Sequence, residues 1–125
     1  MALLEIAVSG LTLAPQGIVS GGVLTITSTP STKVKCESKG IYGGTLQFTL
    51  AGANATGYDP GTVTTVGTAT ITTTATKDKV GGQFVMRKND QNLVVSMTGT
   101  ISGTPTPFVE PWKITAAGQT TIKGQ

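Results

Sequence analysis

Apolar residues along this chain fall in short alternating runs, and helical spacing is absent almost everywhere. Leu46-Gln47-Phe48-Thr49-Leu50 has the cleanest period of two, and Val23-Leu24-Thr25-Ile26-Thr27 reads as another strand. Residues 3–8 form a first apolar run, and residues 68–76 a threonine-rich strand carrying Ile71. Residues 83–86 and 93–101 follow, the latter with Val95, Met97 and Ile101 on one face; residues 112–116 and 120–123 close the chain. Turn formers such as Gly21-Gly22, Gly43-Gly44, Asp59-Pro60-Gly61, Gly81-Gly82 and Lys88-Asn89-Asp90 separate the runs. The pattern predicts an all-β fold: one compact Thr/Gly-rich β-hairpin domain over residues 1–125. Residues 52–67 read as a long loop, and 103–107, with Pro105 and Pro107, as an extended connector.

A weak internal repeat accompanies the strands. Ser31-Thr32-Lys33-Val34-Lys35 recurs 44 positions later as Ala75-Thr76-Lys77-Asp78-Lys79. Each copy is followed by an apolar pair, Ile41-Tyr42 or Val85-Met86. Two copies in so simple an alphabet fit duplication and chance equally.

Composition sharpens this picture. With 24 threonines, 17 glycines and 12% charged residues, the chain suits pleated strands and tight turns. A disordered chain normally carries more charge and fewer β-branched residues. The 38% apolar content implies a thin core, supported by backbone ladders or by a partner. A net charge of +3 does not demand an acidic partner. Lys33, Lys35 and Lys39 lie close in sequence, as do Lys77, Lys79, Arg87 and Lys88. No aromatic platform is interleaved with them, so solvated strand edges are favoured over a nucleic-acid patch.

The single cysteine, Cys36, excludes an internal disulfide. Residues 1–10 are apolar but lack a basic leader and carry Glu5, so they read as a strand rather than a signal peptide. No run approaches the roughly 20 apolar residues of a membrane helix. The expectation is cytoplasmic assembly without a cleaved leader and no membrane insertion by a segment of this chain.

Reactive chemistry is sparse. There is no histidine, which removes the commonest general base and the commonest zinc ligand. Glu5, Glu37, Asp59, Asp78, Asp90 and Glu110 show no paired spacing and read as solvated surface charges. Cys36 reads as a partly buried strand thiol. Asp59, Asn89 and Asp90 lack the loop of a calcium site. No catalytic, cofactor or metal residues are expected. Asn89-Asp90 ends a strand in a turn where both side chains can bond local backbone. Trp112 and Tyr42 read as core or interface aromatics.

The run from Ile71 through Lys77-Asp78-Lys79-Val80-Gly81-Gly82 to Asp90 resembles the PAAR-like pattern of strand, small residues, lysine and then Gly82-x-x-Val85-x-x-x-x-Asp90. Residues 30–42 resemble the hairpin that precedes it in such proteins, and residues 112–119 are similar to their closing strand. PAAR-like proteins are small β-rich cones that cap the trimeric spike of contractile injection systems, namely type VI secretion and phage-tail-like particles. The resemblance implies a non-enzymatic tip with a trimeric spike protein as partner and effector cargo as a further one, in a particle ejected from the cell. It makes Gly82, Val85 and Asp90 tip or turn positions, beside Asn89 of the turn read above. Such proteins often hold an apical metal through His and Cys; this chain has no His, and Cys36 alone does not fill that role. Other readings are a phage head-decoration or tail β-sandwich protein, and a carbohydrate- or surface-binding β module using Trp112, Tyr42 and Tyr58. An enzyme is the last class in this order.

Overall fold

A computed structural model describes residues 3–125; Met1 and Ala2 lie outside the described residues. Among the described residues there is no helix, and the fold is all-β. The chain makes three successive passes. The first contains β1 (Leu4–Glu5), β2 (Thr12–Pro15), β3 (Val19–Ser20) and β4 (Val23–Ile26). The second contains β5 (Lys35–Cys36), β6 (Lys39–Gly40), β7 (Thr45–Ala51), β8 (Asn54–Ala55), β9 (Thr64–Thr65) and β10 (Ala69–Thr72). The third contains β11 (Lys79–Val80), β12 (Gln83–Phe84), β13 (Gln91–Ile101), β14 (Thr104–Ala116) and β15 (Lys123–Gly124).

Each pass sends a strand outward and brings one back. In the second and third passes these pair as β7 with β10 and β13 with β14. In the first they separate: β2 joins β14 and β4 joins β7. The result is two antiparallel sheets, ordered β10-β7-β4 and β2-β14-β13-β9, that curl into a half-barrel. At one seam the Asn92 side-chain amide donates to the Thr70 carbonyl at 2.8 Å, tying β13 to β10.

Alternation determines which side chains enter the core. In β7, Leu46, Phe48 and Leu50 are buried while Thr45, Gln47 and Ala51 are exposed. Val95 and Met97 of β13 and Trp112 and Ile114 of β14 face them from the second sheet. The Phe48 and Trp112 rings meet at 4.9 Å between centroids, in a tilted arrangement. Ile101 is exposed because β13 runs past this core.

Two segments differ from expectation. Residues 104–107 are the first part of β14 rather than a connector. Pro105 and Pro107 pair in register with Thr100 and Thr98. As alternate residues they share one orientation, so their missing N–H groups face the open edge of β14, where no ladder bond is lost. Residues 52–67 are not a free loop. They hold β8 and β9, and Ala53 and Val63 exchange backbone hydrogen bonds of 2.9 and 3.1 Å, both fully buried.

Candidate functional site

Where the three passes begin, three short segments come together around one axis. Their central residues are Ala7, Tyr42 and Met86. The N–H of Ala7 donates to the Met86 carbonyl at 2.8 Å, that of Tyr42 to Ala7 at 3.1 Å, and that of Met86 to Tyr42 at 2.9 Å. This cycle closes on itself. A second cycle lies two residues on: Ser9 donates to Gly40, Gly44 to Phe84 and Lys88 to Glu5, at 2.9, 2.7 and 2.7 Å. The bridges between segments repeat as well, Ile6 with Arg87, Val8 with Ile41 and Gly43 with Val85. The segments therefore form a ring with approximate threefold symmetry inside a single chain.

Each ring segment continues a two-stranded hairpin. β5 pairs with β6, β11 with β12, and β15 with β1, so the third hairpin joins residues from opposite ends of the sequence. Ile41, Val85 and Ile6 donate to the carbonyls of Val34, Asp78 and Ile122 at 3.1, 3.0 and 3.1 Å. Residues 34, 78 and 122 are 44 apart, so the repeat legible in the sequence has a third member. The turns that lead into these carbonyls are held by different groups. Ser31 Oγ accepts from the N–H groups of Lys33 and Val34, and Gln119 Oε1 from those of Thr121 and Ile122. In the remaining copy the Gln125 carbonyl accepts from Lys77 and Asp78. Geometry is retained while the chemistry varies.

Alternation splits the ring residues between two cores. Ala7, Tyr42 and Met86 join the large core between the sheets. Ile6, Val8, Ile41 and Val85 join a smaller one with Cys36, Ala75 and Val80. Burial pushes the Tyr42 phenol above its ordinary pKa. Cys36 is a buried free thiol.

Gly82 is exposed in the β11–β12 turn at φ 81°, beside Gly81 at 57°. This pair of left-handed residues is what a two-residue hairpin with right-handed strand twist requires. The equivalent turn in β5–β6 uses Glu37 and Ser38 at φ 53° and 67°, without glycine. Val85 is buried in the ring and bridges to Gly43. Asn89 is exposed at φ 75°, its N–H donating to the Ile114 carbonyl at 2.9 Å. These positions follow the ring rather than gathering into one exposed cluster.

Two carboxylates expected in solvent are buried. Asp90 has no exposed surface. Its Oδ2 accepts from the Arg87 N–H at 2.8 Å, and its Oδ1 from the Thr74 hydroxyl at 2.6 Å. The Arg87 guanidinium donates to the same Thr74 hydroxyl at 2.7 Å, so a buried cation and anion are joined through one threonine. Glu110 is 1% exposed and accepts from three successive N–H groups, those of Gly17, Ile18 and Val19, at 3.0, 3.1 and 3.0 Å. A methyl group at Gly17 would collide with that carboxylate. Both are buried because backbone donors replace their water. Asp59 stays at the surface, where the Gly103 N–H, then the Thr100 hydroxyl and the Ser102 N–H, hold its carboxyl below the usual carboxylate range.

Among the described residues no group of three or more Cys, Asp or Glu side chains converges as a metal site would require. The most marked surface depressions are open, and one is lined by Glu5, Glu37, Lys88 and residues 116–120 at the ring end. Trp112 and Tyr42 are 1% and 6% exposed, and Tyr58 is half-buried against Phe108 at 4.7 Å, so none of these three aromatics stands free at the surface. No known protein family, curated protein or solved structure matches the chain.

Proposed function

We propose that this protein is a non-enzymatic, PAAR-like tip that caps the trimeric central spike of a contractile injection system. The observation that carries the reading is the threefold ring. A homotrimer ends in three identical surfaces around one axis, and a single ordinary domain meets only one of them well. A chain with three equivalent hairpins around its own axis meets all three at once. The dense backbone bonding of the ring also suits a part that must bear load along that axis.

The reading fixes a stoichiometry of one chain per spike trimer. Mixing the protein with the homotrimeric spike produced from the same genome, followed by size-exclusion chromatography with light scattering, should give a complex of one chain with three spike subunits. A ratio of three chains per trimer, or no complex at all, contradicts it.

A further inference from the structure

The three hairpins share little side-chain chemistry, but one strand position is the same in each, and in the turns before them Thr32, Thr76 and Thr120 also recur. Lys35, Lys79 and Lys123 begin β5, β11 and β15, and they lie 44 residues apart. Cys36, Val80 and Gly124, the next residues, are all buried, so strand alternation turns the lysines outward, where all three are exposed. Their cross-strand partners are Gly40, Phe84 and Glu5, which share no chemistry that would select lysine three times.

Among the described residues none of the three makes an ion pair. Among the described residues the ion pair found is Lys88 with Glu5, at 3.6 Å. Glu37 accepts from the Thr121 hydroxyl at 2.6 Å, and Asp78 from the Gln125 N–H at 2.8 Å. The Lys79 ammonium lies 4.8 Å from the Phe84 ring centroid. The surrounding charge has the same sign. Seven of the eight lysines belong to the hairpins and ring, against the carboxylates of Glu5, Glu37 and Asp78, leaving this end at +4. Buried Arg87 and Asp90 offset one another, and the rest of the molecule, with Lys113, Asp59 and Glu110, carries −1.

We infer that Lys35, Lys79 and Lys123 form the docking face for a homotrimer that presents one carboxylate per subunit, each subunit meeting one lysine. Nucleic acid or an anionic bilayer would call for positive charge but not for its threefold placement. This deepens the spike-cap reading and rests on it, adding that the hairpin end faces the spike. Exposed pairs of this kind set orientation and association rate more than final affinity.

The test is stopped-flow association with the homotrimeric spike from the same genome. Lys35→Gln, Lys79→Gln and Lys123→Gln should each slow association about threefold at low salt, and the triple variant about thirtyfold. The differences should shrink at about 0.5 M salt, and replacing all three by Arg should restore the rate. Lys113→Gln, on β14 and outside the three hairpins, should leave it unchanged. If the wild-type chain binds the spike and the triple Gln variant binds equally fast, the docking face is wrong while the cap reading stands. If a single lysine accounts for the whole effect, the threefold assignment fails. If the wild type does not bind, both fall. Lysine-dependent binding to phosphatidylserine vesicles, with no lysine effect on the spike, reassigns the face to a membrane and overturns the inference.

Discussion

The ring is closed by six backbone hydrogen bonds in two cycles of three, with three more tying its segments to their hairpins, whereas the two sheets of the body meet through side chains. Ring segments as different as Ile6-Ala7-Val8, Ile41-Tyr42-Gly43 and Val85-Met86-Arg87 reach the same arrangement. Backbone bonding asks of each residue only an extended conformation and a side chain that fits one of two small cores. The body is less permissive. Phe48 and Trp112 must meet at one place, and Glu110 must find three consecutive N–H groups more than ninety residues earlier in the chain. Tolerance in the ring and exactness in the body predict different responses to mutation.

The largest response is expected in the body. Trp112→Ala empties a site that is 1% exposed and should cost about 3–5 kcal/mol in urea unfolding. A loss below about 1 kcal/mol would place the tight packing elsewhere. The next tests the ring at its one buried ionic feature. Asp90→Ala leaves the Arg87 and Thr74 donors unpaired and should cost about 3 kcal/mol, from the loss of hydrogen bonds to a charged group. An equal loss of amide protection at Ala7, Tyr42 and Met86 would show that the ring yields as a unit; loss at Met86 alone would show three independent parts. Ser38→Gly is the converse experiment. It relieves a non-glycine residue at φ 67° and should stabilise the protein by about 0.5–1 kcal/mol, bringing the β5–β6 turn closer to the Gly81-Gly82 turn. Destabilisation would mean that the Ser38 side chain contributes something its turn geometry does not reveal.

The smallest effect concerns Asp59 at the β13–β14 turn. Its folded-state pKa is depressed, mainly by the Gly103 N–H and then by the Thr100 hydroxyl and Ser102 N–H. Its contribution is therefore complete above the unfolded carboxyl value, about 3.9, and is lost as pH falls through the lower folded value. Asp59→Asn should lower stability slightly near neutral pH and flatten this part of the acid response, so that the two proteins converge at low pH. Superimposable acid-unfolding curves for the two proteins would show that the carboxylate does not cap the turn.

The strands were readable because period-two alternation is a local signal. Leu46, Phe48 and Leu50 are buried where alternation put them, as are Val95 and Met97. The ring was half readable. Two of its members follow in sequence at a spacing of 44, but the third is divided between Lys123-Gly124 and residues 4–8, so no window along the chain contains it. Asp90 could be read as part of a turn, but its burial depends on Thr74, sixteen residues earlier. Glu110 did carry a missed signal. It shares a strand face with Trp112 and Ile114, and a charge in phase with two core residues must find an internal partner. The prolines of β14 misled for a local reason, because their tolerance depends on which edge of a strand stays open.

The pairing of β1 with β15 sets an order of events at the ribosome. Leu4 emerges 120 residues before its partner Gly124, which at about 5–20 residues per second is a delay of roughly 6 to 24 seconds. Throughout that interval the first segment waits with its edge unpaired, and the circle cannot be completed however quickly the two later hairpins form. Closure must wait for residues 123–124, and it has the largest sequence separation among the paired strands of the described residues to overcome. Anything that shields residues 3–8 during translation should therefore raise the yield of folded protein without altering its final stability.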